Sequence, residues 1–119
     1  MNKNHLNTNE ELRHDEYLTS LNGKNQAIFQ GDSNFVIYID STPKWQTNTS
    51  GHMGMRLLLQ SDGNLVIYTQ DKRVVWSTDS YGPTESQCVR LTLTDKGHLV
   101  LDRDGMQIWT SANSTGLLS

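Results

Sequence analysis

Apolar and polar residues alternate along most of this 119-residue chain. Phe35, Ile37 and Ile39 fall on one side of an extended segment, and Val36 and Tyr38 on the other. Leu65 and Ile67 oppose Val66 and Tyr68 in the same way, and Leu99 and Leu101 oppose Val100 and Asp102. Just upstream, Ala27 and Phe29, Leu57 and Leu59, and Leu91 and Leu93 continue the inward sets. No copy places apolar residues at i, i+3, i+4 and i+7, so the period specifies strands and not helices. The strings "GDSN", "SDGN" and "DKGH" supply turn chemistry between the two strands of each pair. Each unit therefore reads as a hairpin followed by a further strand, which carries Trp45, Trp76 or Trp109.

The unit is written three times, as "AIFQGDSNFVIY", "LLLQSDGNLVIY" and "LTLTDKGHLVLD", with a period a little over thirty residues. A small polar run follows each tryptophan: "WQTNT", "WSTDS", "WTSAN". Three such sheets cannot bury their inner faces alone. Closing them about a common axis, with the tryptophans and the aliphatic set inside, solves that problem. The front segment "NEELRHDEYLTSLNGKN" adds strands, and its "SLNGKN" (Ser20 to Asn25) is another hairpin turn. The expectation is a single all-β domain over residues 1–119.

Between the first two copies the core residues drift, Phe29 giving way to Leu59 and Phe35 to Leu65. Such drift costs little when size is kept. Gln30, Asp32, Asn34, Val36 and Tyr38 do not drift: they return as Gln60, Asp62, Asn64, Val66 and Tyr68. A turn accounts for Asp and Asn, but not for the Gln and Tyr. In an extended strand these five would span about 26 Å, too far for one small ligand. Folding at Asp32–Asn34 sets Gln30 across from Val36 and near Tyr38, with Asp32 and Asn34 at the rim. The result is a shallow pocket with an amide, a carboxylate, a second amide and a phenol over a valine floor. That inventory suits vicinal hydroxyls, each of which needs a donor and an acceptor, while the valine packs on the C–H face of a sugar ring.

The totals narrow the alternatives. A net charge of −3 leaves no electrostatic footprint for nucleic acid. No apolar run is long enough to span a membrane, and the N-terminus has no apolar segment of a conventional signal peptide. The chain is thus expected to be cytoplasmic, or to leave the cell by another route, or to begin at the mature end of a longer one. The single cysteine, Cys88, allows no intrachain disulfide and is expected to be a buried, inert thiol. The sequons at Asn48 and Asn113 are expected to be unused. His5, His14, His52 and His98 lack ligand spacing, and "DSN" and "DGN" are too short for a calcium loop, so neither metal nor cofactor is expected.

The string Q-x-D-x-N-x-V-x-Y, intact twice, resembles the mannose-binding motif of the monocot, snowdrop-type lectins, across nearly the whole chain. The start "LRHDEYL" and the lack of a disulfide look more like the lily-type lectins of fish skin mucus. The resemblance implies a bulb-type lectin domain with a β-prism II fold: three four-stranded antiparallel sheets around a pseudo-threefold axis. It implies metal-independent binding of terminal mannose on high-mannose glycans, in defence or agglutination. In that family Asp and Asn hold the 2-hydroxyl, Gln the 3-hydroxyl and Tyr the 4-hydroxyl, with Val on the ring. It also implies a homodimer that exchanges the C-terminal strand, here around "MQIWTSANS". The third copy departs from the motif, with Thr94, Lys96, His98 and Asp102 in place of Gln, Asp, Asn and Tyr. No mannose is expected there, and Lys96 and Asp102 could form a surface pair.

Two rival classes are weaker. Asp32 and Asp62 could be imagined as a glycosidase pair, but they occupy equivalent positions in separate repeats, so no enzyme is expected. A protein-receptor-binding or bacteriocin-like module on the same scaffold is the alternative, with the degenerate third face as its natural contact.

Overall fold

The computed structural model describes residues 3–82 and 88–113. Its strands are β1 (His5–Asn7), β2 (Glu11–Arg13), β3 (Glu16–Thr19), β4 (Asn25–Phe29), β5 (Phe35–Ile39), β6 (Thr42–Gln46), β7 (Gly54–Leu59), β8 (Leu65–Thr69), β9 (Val74–Ser77), β10 (Val89–Leu93), β11 (Leu99–Arg103) and β12 (Met106–Thr110). They form three four-stranded sheets, ordered β3-β4-β5-β6, β2-β7-β8-β9 and β1-β10-β11-β12. Every pairing is antiparallel. Each repeat supplies three consecutive strands of one sheet, as its alternation requires.

The fourth strand of each sheet comes from the front segment, which visits all three sheets in turn. Leu6, Leu12 and Leu18, six residues apart, enter the core from β1, β2 and β3 and are buried. The chain turns between these strands at Asn9 (φ 67°) and Asp15 (φ 68°), residue types that tolerate the left-handed region. A glutamate secures each corner. Glu10 accepts the Asn7 N–H at 2.7 Å and Glu16 the Arg13 N–H at 2.7 Å.

Ala27, Phe29, Phe35, Ile37 and their counterparts in the other sheets are fully buried, as the alternation indicates. The three indoles meet edge to face at the centre, with ring centroids 5.9, 6.0 and 6.1 Å apart. Trp45 is 2% exposed and also meets Phe35 edge-on, whereas Trp76 and Trp109 are only partly buried. In all three sheets the ladder shifts register beside the last motif position, at Tyr38, Tyr68 and Asp102. The resulting bulge bends each tryptophan-bearing strand.

Cys88 corrects the sequence expectation: it is exposed. Val89, Leu91 and Leu93 take the inward positions of β10, so the residue just before Val89 points outward.

Two front-segment carboxylates carry a pH dependence. Glu10 is held below the usual carboxylate value of 4.5, chiefly by the Asn7 N–H and next by Lys3. For Glu11, burial pushes the value up, but hydrogen bonds from Arg13 and Arg56 outweigh it and the net shift is downward. Groups with depressed folded values stabilise the fold above their unfolded value and lose that contribution as pH falls through the folded one. The thermal midpoint, followed by circular dichroism, is expected to hold from pH 7 to about 5 and to fall below about 4. Replacing Glu10 and Glu11 by Gln should flatten this acid limb.

Candidate functional site

The turn after β4 brings the first motif together. Gln30 N–H donates to the Asn34 carbonyl at 2.9 Å, and Ser33 N–H to the Gln30 carbonyl at 3.0 Å. In the ladder Ile28 faces Val36 and Phe29 faces Phe35, so Gln30 lies across from Asn34 and not from Val36 as expected. The turn closes two residues tighter than the sequence reading assumed. Gln30 still reaches the last motif residue: its Nε2 donates to Tyr38 Oη. Gln60 Nε2 donates to Tyr68 Oη in the same way. The ends of each string therefore touch, and Val36 and Val66 beneath them are 4% and 1% exposed.

Asn34 corrects a second expectation. It is no rim residue but 6% exposed, with its carbonyl turned inward. Asn34 Oδ1 accepts the Thr47 hydroxyl at 3.1 Å and the Thr49 N–H at 3.2 Å. Asn64 Oδ1 accepts the Thr78 hydroxyl at 3.1 Å and the Ser80 N–H at 3.2 Å. With the acceptor end occupied, only the N–H₂ end can serve a ligand. Asp32 Oδ1 and Asp62 Oδ1 each accept the N–H of the asparagine two residues on, at 2.9 Å. This clamp holds the carboxylate beside the amide and leaves further lone pairs for a hydroxyl. Each Tyr oxygen accepts a hydrogen bond from the Gln amide N–H, so its own O–H can point outward.

The residues that hold the asparagines were missed in the sequence. They are the small polar runs after each tryptophan, a recurrence noted above without a role. The hydroxyl two residues past the tryptophan (Thr47, Thr78 or Ser111) also accepts a backbone N–H from the neighbouring strand, at 3.1, 3.1 and 2.9 Å. The two asparagines differ in the partner of their N–H₂ group. Asn34 Nδ2 donates to Gln46 Oε1 at 2.7 Å, whereas the position matching Gln46 is Ser77, whose hydroxyl turns to Asp79 at 2.6 Å.

The third copy keeps the backbone and loses the chemistry. Thr94 N–H donates to the His98 carbonyl at 2.9 Å, as in the other turns. Lys96 and His98 are exposed, and among the described residues nothing there replaces the asparagine carbonyl. Lys96 and Asp102 form no ion pair among the described residues; the ladder sets Arg90 across from Asp102.

No three His, Cys, Asp or Glu side chains gather into a metal-binding group among the described residues. Asp32 and Asp62 lie in the hairpins of two different sheets.

Comparison with known proteins agrees with this architecture. The chain is 41% identical over 113 residues to the B-type lectin plumieribetin of Scorpaena plumieri, covering 95% of this chain and 98% of that one. It is 33% identical over 114 residues to a mannose-specific lectin of Aloe arborescens, covering 95% and 98%. The structure superimposes on the snowdrop (Galanthus nivalis) bulb agglutinin complexed with methyl α-D-mannoside with a TM-score of 0.78 at 30% identity, covering 96% of this chain and 100% of that one. A monomeric monocot mannose-binding lectin of Gastrodia elata gives a TM-score of 0.85 at 27% identity, covering 95% and 100%. The three sheets are thus those of the β-prism II fold. The family's sequence model, described as D-mannose binding lectin, matches residues 42–116. That match and the near full-length relatives together show that this chain belongs to the D-mannose binding lectin family.

Proposed function

We propose that this chain binds terminal mannose of high-mannose glycans, without a metal ion, through two pockets: Gln30, Asp32, Asn34, Val36 and Tyr38, and Gln60, Asp62, Asn64, Val66 and Tyr68. The observation that carries the reading is the polarity of each pocket. The asparagine carbonyl is consumed inside the protein, so its N–H₂ donates outward beside an accepting Asp carboxylate. One hydroxyl can then donate to Asp and accept from Asn. Gln and Tyr, joined to each other, serve the next two hydroxyls, and the buried valine meets the ring. This is the assignment that the family resemblance implies for the 2-, 3- and 4-hydroxyls.

Four bonds to a wet, shallow pocket, at about 1 kcal/mol net each, give an affinity of about 1 mM per site, near −4 kcal/mol. Paired sites on a polyvalent glycan raise the effective strength. A homodimer would raise it further, and exchange of the segment around β12 belongs to this reading; in the single chain β12 pairs with β11. The function is binding and not catalysis, since a glycosidase needs two carboxylates flanking one bond, roughly 5–9.5 Å apart. Asp32 and Asp62 instead each secure a separate turn. The reading assigns the protein to the outside of the cell, where such glycans are displayed, in defence or agglutination.

Calorimetric titration with methyl α-D-mannoside tests it. Two sites per chain near millimolar affinity are expected, with the same isotherm in the presence of EDTA. Absence of binding, or its loss in EDTA, contradicts the reading.

A further inference from the structure

The third repeat keeps its turn and reverses its charge. The turn closes as the other two do and is braced from the side. Buried Asn25 donates through Nδ2 to the Thr94 and Asp95 carbonyls at 3.2 and 3.0 Å. Asn22 N–H donates to Asp95 Oδ1 at 2.9 Å, so that carboxylate is engaged with the neighbouring loop. In the intact pockets a carboxylate, Asp32 or Asp62, stands at the turn end and a phenol, Tyr38 or Tyr68, at the strand end. The third copy puts the Lys96 ammonium at the turn end and the Asp102 carboxylate at the strand end. His98 replaces the inward asparagine and is exposed instead.

The floor of this face is also open. Val100 is partly exposed, whereas its counterparts Val36 and Val66 are 4% and 1% exposed beneath their Gln–Tyr bridges. The residue across the ladder from Val100 is Thr92, where the other sheets have Ile28 and Leu58. An apolar patch is thus flanked by a hydroxyl. Alternate residues of a strand lie about 7 Å apart, so Val100 has Asp102 one step to one side and the turn one step to the other. That is the scale of a single sugar ring.

The cations of this face are uncommitted. Arg13 and Arg56 pair with Glu11, Arg73 with Asp71, and Arg103 donates to the Asp62 carbonyl. Arg90 and Lys96 are exposed, and neither side chain has a hydrogen-bond or ion-pair partner among the described residues. Asp102, across the ladder from Arg90, balances one of the two charges and leaves the turn end positive.

We propose that this third face binds an acidic saccharide, one that carries a sulfate ester or a carboxylate. The anionic group lies at the turn end against Lys96 and His98, the C–H face of the ring rests on Val100, and Asp102 accepts a ring hydroxyl. The proposal does not depend on mannose binding by the other two pockets.

Surfaces carrying a 6-sulfated hexose, a hexuronic acid and the uncharged hexose test it, with methyl α-D-mannoside present at saturation. The protein is expected to hold one or both acidic surfaces at least tenfold more tightly than the uncharged one, and the comparison between them tells sulfate from carboxylate. Lys96→Glu should weaken that binding about tenfold. Lys44→Glu, at an exposed lysine of a different sheet, should change it less than twofold. Asp102→Asn should strengthen it about threefold, because it keeps an acceptor and removes the carboxylate nearest the anion; damage to the fold would not produce a gain. No binding to either acidic surface, equal binding to the uncharged one, or equal losses in the two lysine variants overturns the proposal. So does displacement by sulfate or acetate ion as effective as by the free acidic sugar, since the ring would then go unrecognised. None of these results bears on the two mannose pockets, whose titration is separate.

Discussion

Alanine at both Asn34 and Asn64 is expected to give a chain that no longer takes up methyl α-D-mannoside, while either change alone reduces the stoichiometry from two sites to one. The asparagine is the pocket's dedicated donor, because its carbonyl already accepts from Thr47 and Thr49, or from Thr78 and Ser80. Removing one bond from a site worth about 4 kcal/mol takes away about 1 kcal/mol directly. The sugar hydroxyl left without a donor adds to the loss, so binding weakens about tenfold and leaves the range of a titration. The same substitution strands a backbone N–H, that of Thr49 or Ser80, at a cost to stability of about 1–3 kcal/mol. Asn34→Asp with Asn64→Asp separates the effects, since aspartate keeps the inward oxygen and removes the outward N–H₂. Binding should disappear there too, with the unfolding midpoint closer to that of the parent. Full binding by the aspartate pair would refute the donor role assigned to these residues.

The second large effect falls at the centre of the molecule. Trp45→Ala should destabilise the fold by about 3–5 kcal/mol, a large share of the roughly 5–15 kcal/mol that holds a domain together. Its ring touches Phe35, Trp76 and Trp109, and removing it leaves three aromatic edges facing a void. Trp76→Ala and Trp109→Ala should cost less, because both rings already meet solvent. Urea unfolding followed by far-ultraviolet circular dichroism gives the ranking. A Trp76→Ala loss equal to that of Trp45→Ala would show that the three indoles share the core equally, contrary to their burial. Trp45→Phe should recover part of the loss, since Phe keeps the edge-to-face geometry with less area.

Much of the architecture was legible because it is local. Period-two alternation assigns inward and outward faces within a strand, and Asp, Asn and Gly between two such runs announce a hairpin. A repeat held in register then implies three similar sheets. The two nine-residue strings stood out because their outward side chains persisted while their core partners changed. The exposure of Cys88 was also within reach, since Val89, Leu91 and Leu93 already fix the inward set of that strand.

Other features depend on contacts between segments far apart in the chain. The six-residue spacing of Leu6, Leu12 and Leu18 acquires its meaning only when the front segment delivers one strand to each of three sheets. The polar runs after the tryptophans look like loop composition until the third strand of each sheet brings them against the asparagine. The tighter closure at Gln30 depends on a turn hydrogen bond that residue types do not specify. By itself, then, the sequence determined strands, repeats, core faces and the two motif strings, because each follows from side-chain chemistry along one stretch of backbone. Only the pairing of the third strand onto each hairpin, and closure of the sheets about their axis, decided which polar groups are consumed inside and which face a ligand, because those neighbours meet across the ladder and share no pattern along the chain.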